Sequence, residues 1–438
     1  MSIRSSWLRQ FASSCFGPAA RHRRSSHRLP PVEALEDRKC LSANVMLLDQ
    51  GHTLRIVGDA GDNQIVIQRN EKGVQITADA AAPQRFTGID SIEIETGGGN
   101  DSVMVIYGFN PQPDPPDAPL SSFDLKVQLG AGNDQFLANI QFPPDPCLVM
   151  VDAGTGHDVV TLQGSVDNGS GGLNFSAELG EGNDRFTGNL QWPSGVPTPE
   201  EAAYPPDPCY LAVTAGGGAD TINTLIGLLS NALPAQDVPV PLSLSLDGGD
   251  GNDVVKSSLS NLILHGPTTI DLQGGTGNDA VTQVLNAVAA NAGLNLTADG
   301  GRGDDTVGIT AGAATPSLFV NSSVRLTLEG GLGNDRLHGL LVPCIMPEAS
   351  LDVIFSGGSG NDLFDILLAL EADSPDSTGP SEGPVGLTLL GGDGNDQLRL
   401  SIQNLGQSKS MLDLQHAGGS GDDTAVVTPS IDTSGWTK

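Results

Sequence analysis

The sequence predicts an all-β fold, a parallel β-solenoid of the β-helix or β-roll kind with about twelve rungs and Gly-rich turns. Three observations carry this: a short motif that recurs along the chain, alternating apolar stretches around it, and a composition unsuited to one deep core. The motif is Gly-x-Gly-x-Asp, and it occurs twelve times. Chance would give fewer than about one copy in a chain of this length. The composition has 57 Gly but only 12 Phe, 3 Trp and 3 Tyr in 438 residues, which suits a thin layered interior.

The motif aspartates are Asp101, Asp134, Asp158, Asp184, Asp220, Asp253, Asp279, Asp305, Asp335, Asp362, Asp396 and Asp423. They are 24 to 36 residues apart and return repeatedly to 26 or 27. Two residues after each stands Val, Ile, Leu or Phe, except Ala425 in the last copy, which marks an inward-facing strand position. Many copies follow an alternating stretch such as Ser91-Ile92-Glu93-Ile94-Glu95 or Val324-Arg325-Leu326-Thr327-Leu328, the pattern of a half-buried strand. The unit is therefore strand, Gly-rich turn, strand and variable return. Thr221–Leu233 and Thr282–Ala292 are ambiguous between strand and helix.

Composition shifts divide the chain. Residues 1–43 read as an export segment, and 44–96 as an N-terminal β region and cap. In residues 97–247 the repeats are degenerate, with Thr96, Leu129, Ala153, Leu179 and Ala215 where later turns begin with Gly. These repeats carry Pro-rich insertions, Asn110–Pro119, Pro143–Pro146, Pro193–Pro208 and Pro234–Pro241, which read as exposed return loops. In residues 248–438 all seven turns read Gly-Gly-x-Gly-[Asn/Asp]-Asp. A weaker copy, Gly58-Asp59-Ala60-Gly61-Asp62-Asn63, is a candidate first rung or cap.

The formal charge is −31, but residues 1–40 hold eight Lys/Arg against three Asp/Glu, so the remainder carries −36. A body this acidic argues against nucleic acid and calls for cations to offset its self-repulsion. No run approaches the roughly 18 apolar residues of a transmembrane span. The stretch Val32-Glu33-Ala34-Leu35-Glu36-Asp37-Arg38, followed by Leu41-Ser42-Ala43, resembles the segment that opens many exported planctomycete proteins, with Cys40 where Leu is usual. That resemblance implies an extracellular or cell-surface location.

The turns resemble the RTX (haemolysin-type) repeat, G-G-x-G-x-D-x-U-x, which binds calcium. The chemistry is consistent with that. Glycines at positive φ turn carbonyls inward, and Asp adds charge on a short side chain. Ca²⁺ takes six to eight oxygens, more than one turn offers, so binding would couple to stacking. The resemblance implies that the twelve aspartates are metal ligands and Ca²⁺ the cofactor. RTX repeats run in tandem every nine residues, whereas one turn here serves 24–36, which favours one turn per rung of a larger solenoid.

Cys147 and Cys209 both follow Pro-Pro-Asp-Pro, two repeats apart. With one repeat per rung they sit about 10 Å apart, too far for a disulfide; with two repeats per coil they are neighbours. None of the seven His lies in H-E-x-x-H, and G-x-S-x-G is absent. His157 reads as a turn variant standing where other copies have Asn. The expectation is a non-enzymatic, calcium-binding structural or adhesive protein, with a cell-surface glycan or matrix protein as partner. A β-helix polysaccharide lyase and a recognition module using the Pro-rich loops are the alternatives.

Overall fold

A computed structural model describes residues 43–428 apart from 71–72, 80, 109–122, 142–146, 166–171, 192–207, 228–235, 239–240, 312–317, 372–382 and 406–411. Residues 1–42 of the stretch read as an export segment, and nearly all of the Pro-rich insertions, lie outside the described residues. What is described is a parallel β-solenoid. Each Gly turn is entered by a strand of one sheet and left by a strand of a second, here called the entry and exit sheets.

The entry strands run from Thr53–Val57 and Ser91–Gly98 to Leu412–Ser420, and the exit strands from Gln64–Asn70 and Ser102–Gly108 to Thr424–Thr428. Each pairs in parallel with its counterpart one repeat away. Val159 lies opposite Arg185, for example, and Leu294 opposite Val324. Among the described residues there are thirteen such rungs. The weak copy supplies the extra one, since Thr53–Val57 pairs with Ser91–Glu95 and Gln64–Arg69 with Ser102–Tyr107.

Alternation decides what is inside. Strands such as Leu173–Glu181 and Leu294–Arg302 bury every second residue, and the buried faces of the two sheets meet in one core. The residue two after each motif Asp is buried there from Val103 to Leu398, with Phe136, Phe186 and Phe364 almost fully enclosed. At the N-terminal end Asn44–Leu48 pairs antiparallel with Thr53–Val57 and covers the edge of the entry sheet. Arg69 closes the core on that side, its guanidinium 4.3 Å from the Phe123 ring centre and 5.3 Å from that of Tyr107.

Both ambiguous segments contain strands, Thr221–Gly227 and Ala280–Ala290. The Ala-rich run in the second is a corner rather than a helix. Asn261 and Ala287 adopt φ of +57° and +52°, and the chain beyond each forms a third short parallel ladder. Leu262–Leu264 pairs there with Gln236–Val238 and with Val288–Ala290, which in turn pairs with Leu318–Val320.

The cysteines settle the number of repeats per coil. Cys147 lies opposite Leu173, and the next strand places Tyr210 opposite Asn174, so Leu173 stands between Cys147 and Cys209. One repeat is one rung, and the two thiols are buried and unpaired. Burial pushes both up to about 12.

Two outcomes follow from this packing. Gly277 has φ +138°, and a Cβ there would fall on the carbonyl oxygen of Gly251 in the preceding rung, whereas one on Gly88, at φ +71°, would meet nothing. Gly277→Ala should therefore cost about 3 kcal/mol or more and Gly88→Ala about 1 kcal/mol, read by denaturant unfolding. Equal losses would contradict the stacking. Cys147 and Cys209 should resist iodoacetamide in the folded protein and react on unfolding, as read by peptide mapping.

Candidate metal centre

Every motif Asp opens an exit strand with its side chain turned inward, and all twelve are buried, from 0% exposure at Asp134 to 6% at Asp423. They form one column, one per rung. The backbone N–H of each donates to Oδ1 of the Asp in the next rung. The series starts with Asn63 N–H to Asp101, continues through Asp134, Asp158 and so on, and ends with Asp396 N–H to Asp423, at 2.5–3.0 Å. Asn63 thus begins the column without a charge, which is why the weak copy belongs to the stack although it lacks the motif Asp.

The second oxygen is different. Oδ2 of every Asp from Asp134 to Asp396 is buried and has no hydrogen-bond partner. In the later turns it lies against the first Gly of its own turn. A Cβ on Gly248 would stand 2.9 Å from Asp253 Oδ2 and would also meet the carbonyl oxygen of Gly274 in the next rung. Gly274, Gly300, Gly330, Gly357 and Gly391 repeat this arrangement with Asp279, Asp305, Asp335, Asp362 and Asp396. In the five early turns that position carries a buried side chain, Thr96, Leu129, Ala153, Leu179 or Ala215. The later turns therefore leave a carboxylate oxygen and a carbonyl oxygen beside bare backbone, and the early turns do not.

A second column lies on the solvent side, one residue earlier in each turn. Here the bonds run the other way, each backbone N–H donating to the side chain of the preceding rung. Asn100 N–H reaches Asp62, Asn133 N–H reaches Asn100, and the later rungs continue to Asp422 N–H on Asn395, at 2.7–2.9 Å. Ala219 has no acceptor to offer Asn252, so the column is interrupted there. His157 keeps it going, because its Nδ1 accepts the Asn183 N–H where Asn would use Oδ1. That accounts for a His in the motif without invoking a metal. The spacing of the motif pointed to the inner column; the outer one needed the rung register to be seen.

Stacked carboxylates in a dry column resist ionisation. Burial, only partly offset by the N–H donated from the preceding rung, pushes Asp158, Asp253 and Asp335 up to about 7 and Asp184, Asp305 and Asp362 up to about 6. It raises Asp101, Asp134, Asp220, Asp279 and Asp396 in the same direction. The column needs positive charge, from protons or from a bound cation. Its donors are oxygens only. Among the described residues no three His, Cys, Asp or Glu side chains gather round one point, so a cation there would take most of its ligands from turn carbonyls. That fits a hard, oxygen-seeking ion and does not fit zinc.

No family model matches the chain, and no curated protein matches it in sequence.

The raised carboxyls fix a pH dependence. Between the unfolded Asp value near 4 and the folded values of about 6 to 7, the native state holds more protons than the unfolded chain. Metal-free stability should be greatest in acid and fall as pH rises through 6 to 7. Calorimetry in EDTA should give a lower Tm at pH 8 than at pH 5, and the opposite order would contradict a buried, cation-free column.

Proposed function

We propose that the protein is an exported, calcium-stabilised β-solenoid with a structural or adhesive role at the cell surface or in the surrounding matrix. The observation that carries this is the row of buried aspartate oxygens without partners inside a body carrying −36. An unpaired buried carboxylate is strongly unfavourable, and a chain that repeats one at nearly every rung has reason to recruit a counter-charge. Calcium suits the donors because it accepts carboxylate and carbonyl oxygens in a flexible shell of six to eight. On this reading the chain is a relative of the RTX repeat with one calcium-type turn per rung. The six later turns from Gly248 to Gly391 are the primary sites, and the early turns, with Thr, Leu or Ala in the first place, bind more weakly.

The chain's own part is positional. Oδ1 is held by the preceding rung's N–H, which in the later turns leaves Oδ2 beside the first Gly of its own turn. Asp→Asn keeps the Oδ1 acceptor and removes the charge, whereas Asp→Ala removes both. The pair of substitutions therefore separates the ladder from the metal site. The proposed location rests on residues 32–43, and the structural or adhesive role on the rigidity of a stacked, acidic β array. These features give no reason to assign a catalytic activity.

Calcium titration of EDTA-treated protein at pH 8, followed by Tm, should give a saturable rise of about 10 °C or more, as for a ligand bound only by the native state. Asp335→Asn with Asp362→Asn should reduce that rise while leaving the metal-free β structure in place. A Tm indifferent to calcium would reject the metal reading and leave protons as the column's counter-charge.

A further inference from the structure

The two outward faces of the solenoid carry opposite charge. Entry strands from Ser91–Gly98 to Leu412–Ser420 hold thirteen Asp and Glu against three bases, Lys126, Arg302 and Arg325. Six of them, Glu95, Asp152, Glu178, Asp247, Asp299 and Glu329, share one register column. That column borders a groove of about 510 Å³ lined by three acids, Asp247, Asp250 and Asp299, against one base, Arg302. Crowding shows there, since burial and the neighbouring Asp299 raise Glu329 above the usual carboxylate range.

On the exit strands Asp365 is the single acid with a described side chain, against outward-facing Arg185, Lys256, Arg336 and Arg399. Asp365 is 3.8 Å from Arg336 and lies opposite Arg399 in register. It is thus flanked by cations on both sides, and the local balance stays positive. The remainder of this face is His338 with hydroxyl, amide and aliphatic groups, including exposed Val159, Val254 and Val426. In a chain with 49 acids against 13 bases outside its first forty residues, a broad face almost free of acids is not a sampling of the composition.

We propose that the exit sheet is a docking surface for the entry sheet of a second copy of this chain. Both faces belong to one molecule and lie on opposite sides of its core, so the contact is heterologous and repeats, building lateral stacks rather than closed dimers. Both also share one rung spacing of about 4.8 Å, so charges that meet on one rung stay in step along the others. A face about six residues wide and twelve strands long is roughly 20 Å by 55 Å, about 1,100 Å². That exceeds the about 800 Å² per partner of a standard stable interface. The inference goes beyond the calcium reading and does not depend on what fills the aspartate column.

The test is sedimentation velocity of the full chain over a wide concentration range, in EDTA and in calcium. The wild type should show a mass that grows with concentration and is lowered by salt, which shortens screening from about 10 Å at 0.1 M to about 3 Å at 1 M. Arg336→Glu with Arg399→Glu should weaken association about tenfold or more, as should Asp299→Lys with Glu329→Lys. Mixing the two variants should restore pairing, because each then supplies the face the other lacks. Far-UV circular dichroism and Tm confirm that each variant is folded, and Arg185→Glu with Lys256→Glu gives a second exit-face variant if the first does not fold.

A wild type that is monomeric at every concentration overturns the proposal. So does association that ignores both pairs of reversals, which would place the contact elsewhere, for example in residues 1–40. Binding of a polyanion such as polygalacturonate by a protein that never self-associates overturns it as well. Loss of the calcium effect on Tm with stacking intact would reject the metal reading alone.

Discussion

The closeness of one turn to the next is the constraint on which the structure depends. At the parallel-strand spacing of about 4.8 Å, the second and third glycines of each turn stand so near the turn below that a side chain would occupy its carbonyl oxygens. Glycine is required there, and positive φ follows from the same crowding. Two side-chain columns then fasten the turns together. The inner aspartates accept N–H groups from the preceding rung, and the outer asparagines accept them from the following one. Each turn is held in both directions along the stack, and the entry and exit strands inherit their register from it.

That arrangement has an electrostatic consequence. An inward Asp is well placed to accept one N–H, but its second oxygen then sits in the dry interior, and repetition turns one unfavourable group into a column. The raised carboxyls and the partnerless oxygens are two expressions of the same burial. Protons relieve it in acid, and a cation would relieve it at neutral pH. The charge left on the surface is unevenly sorted, with acids in excess on the entry face and bases in excess on the exit face.

Much of this was legible in the sequence because the repeat writes itself in single residues. The Gly-x-Gly-x-Asp spacing gave the rungs, and the residue two after each Asp gave the core column. The weak copy around Asn63 was visible as a candidate and is a full rung, since the backbone N–H of Asn63 donates to Asp101 Oδ1 and starts the ladder without a motif Asp. Whether one or two repeats make a coil could not be read, because equal local patterns serve both; Leu173 lying between Cys147 and Cys209 decides it. The Thr282–Ala292 stretch read as ambiguous because Ala287 turns a corner at positive φ and breaks the period-two pattern. The outer Asn column and the sorting of charge between faces depend on cross-rung register and on which side of the core each strand lies, and neither is local.

The central claim is that the turns, rather than the sheets alone, lock the solenoid. Native-state hydrogen exchange tests it most directly, through the Asp amides that donate to Oδ1 of the next rung, such as Asp279 on Asp305 and Asp335 on Asp362. The account predicts that these amides exchange only through global unfolding, as slowly as the most protected strand amides. Exchange through local opening of the turns, while the flanking strands remain protected, would contradict it.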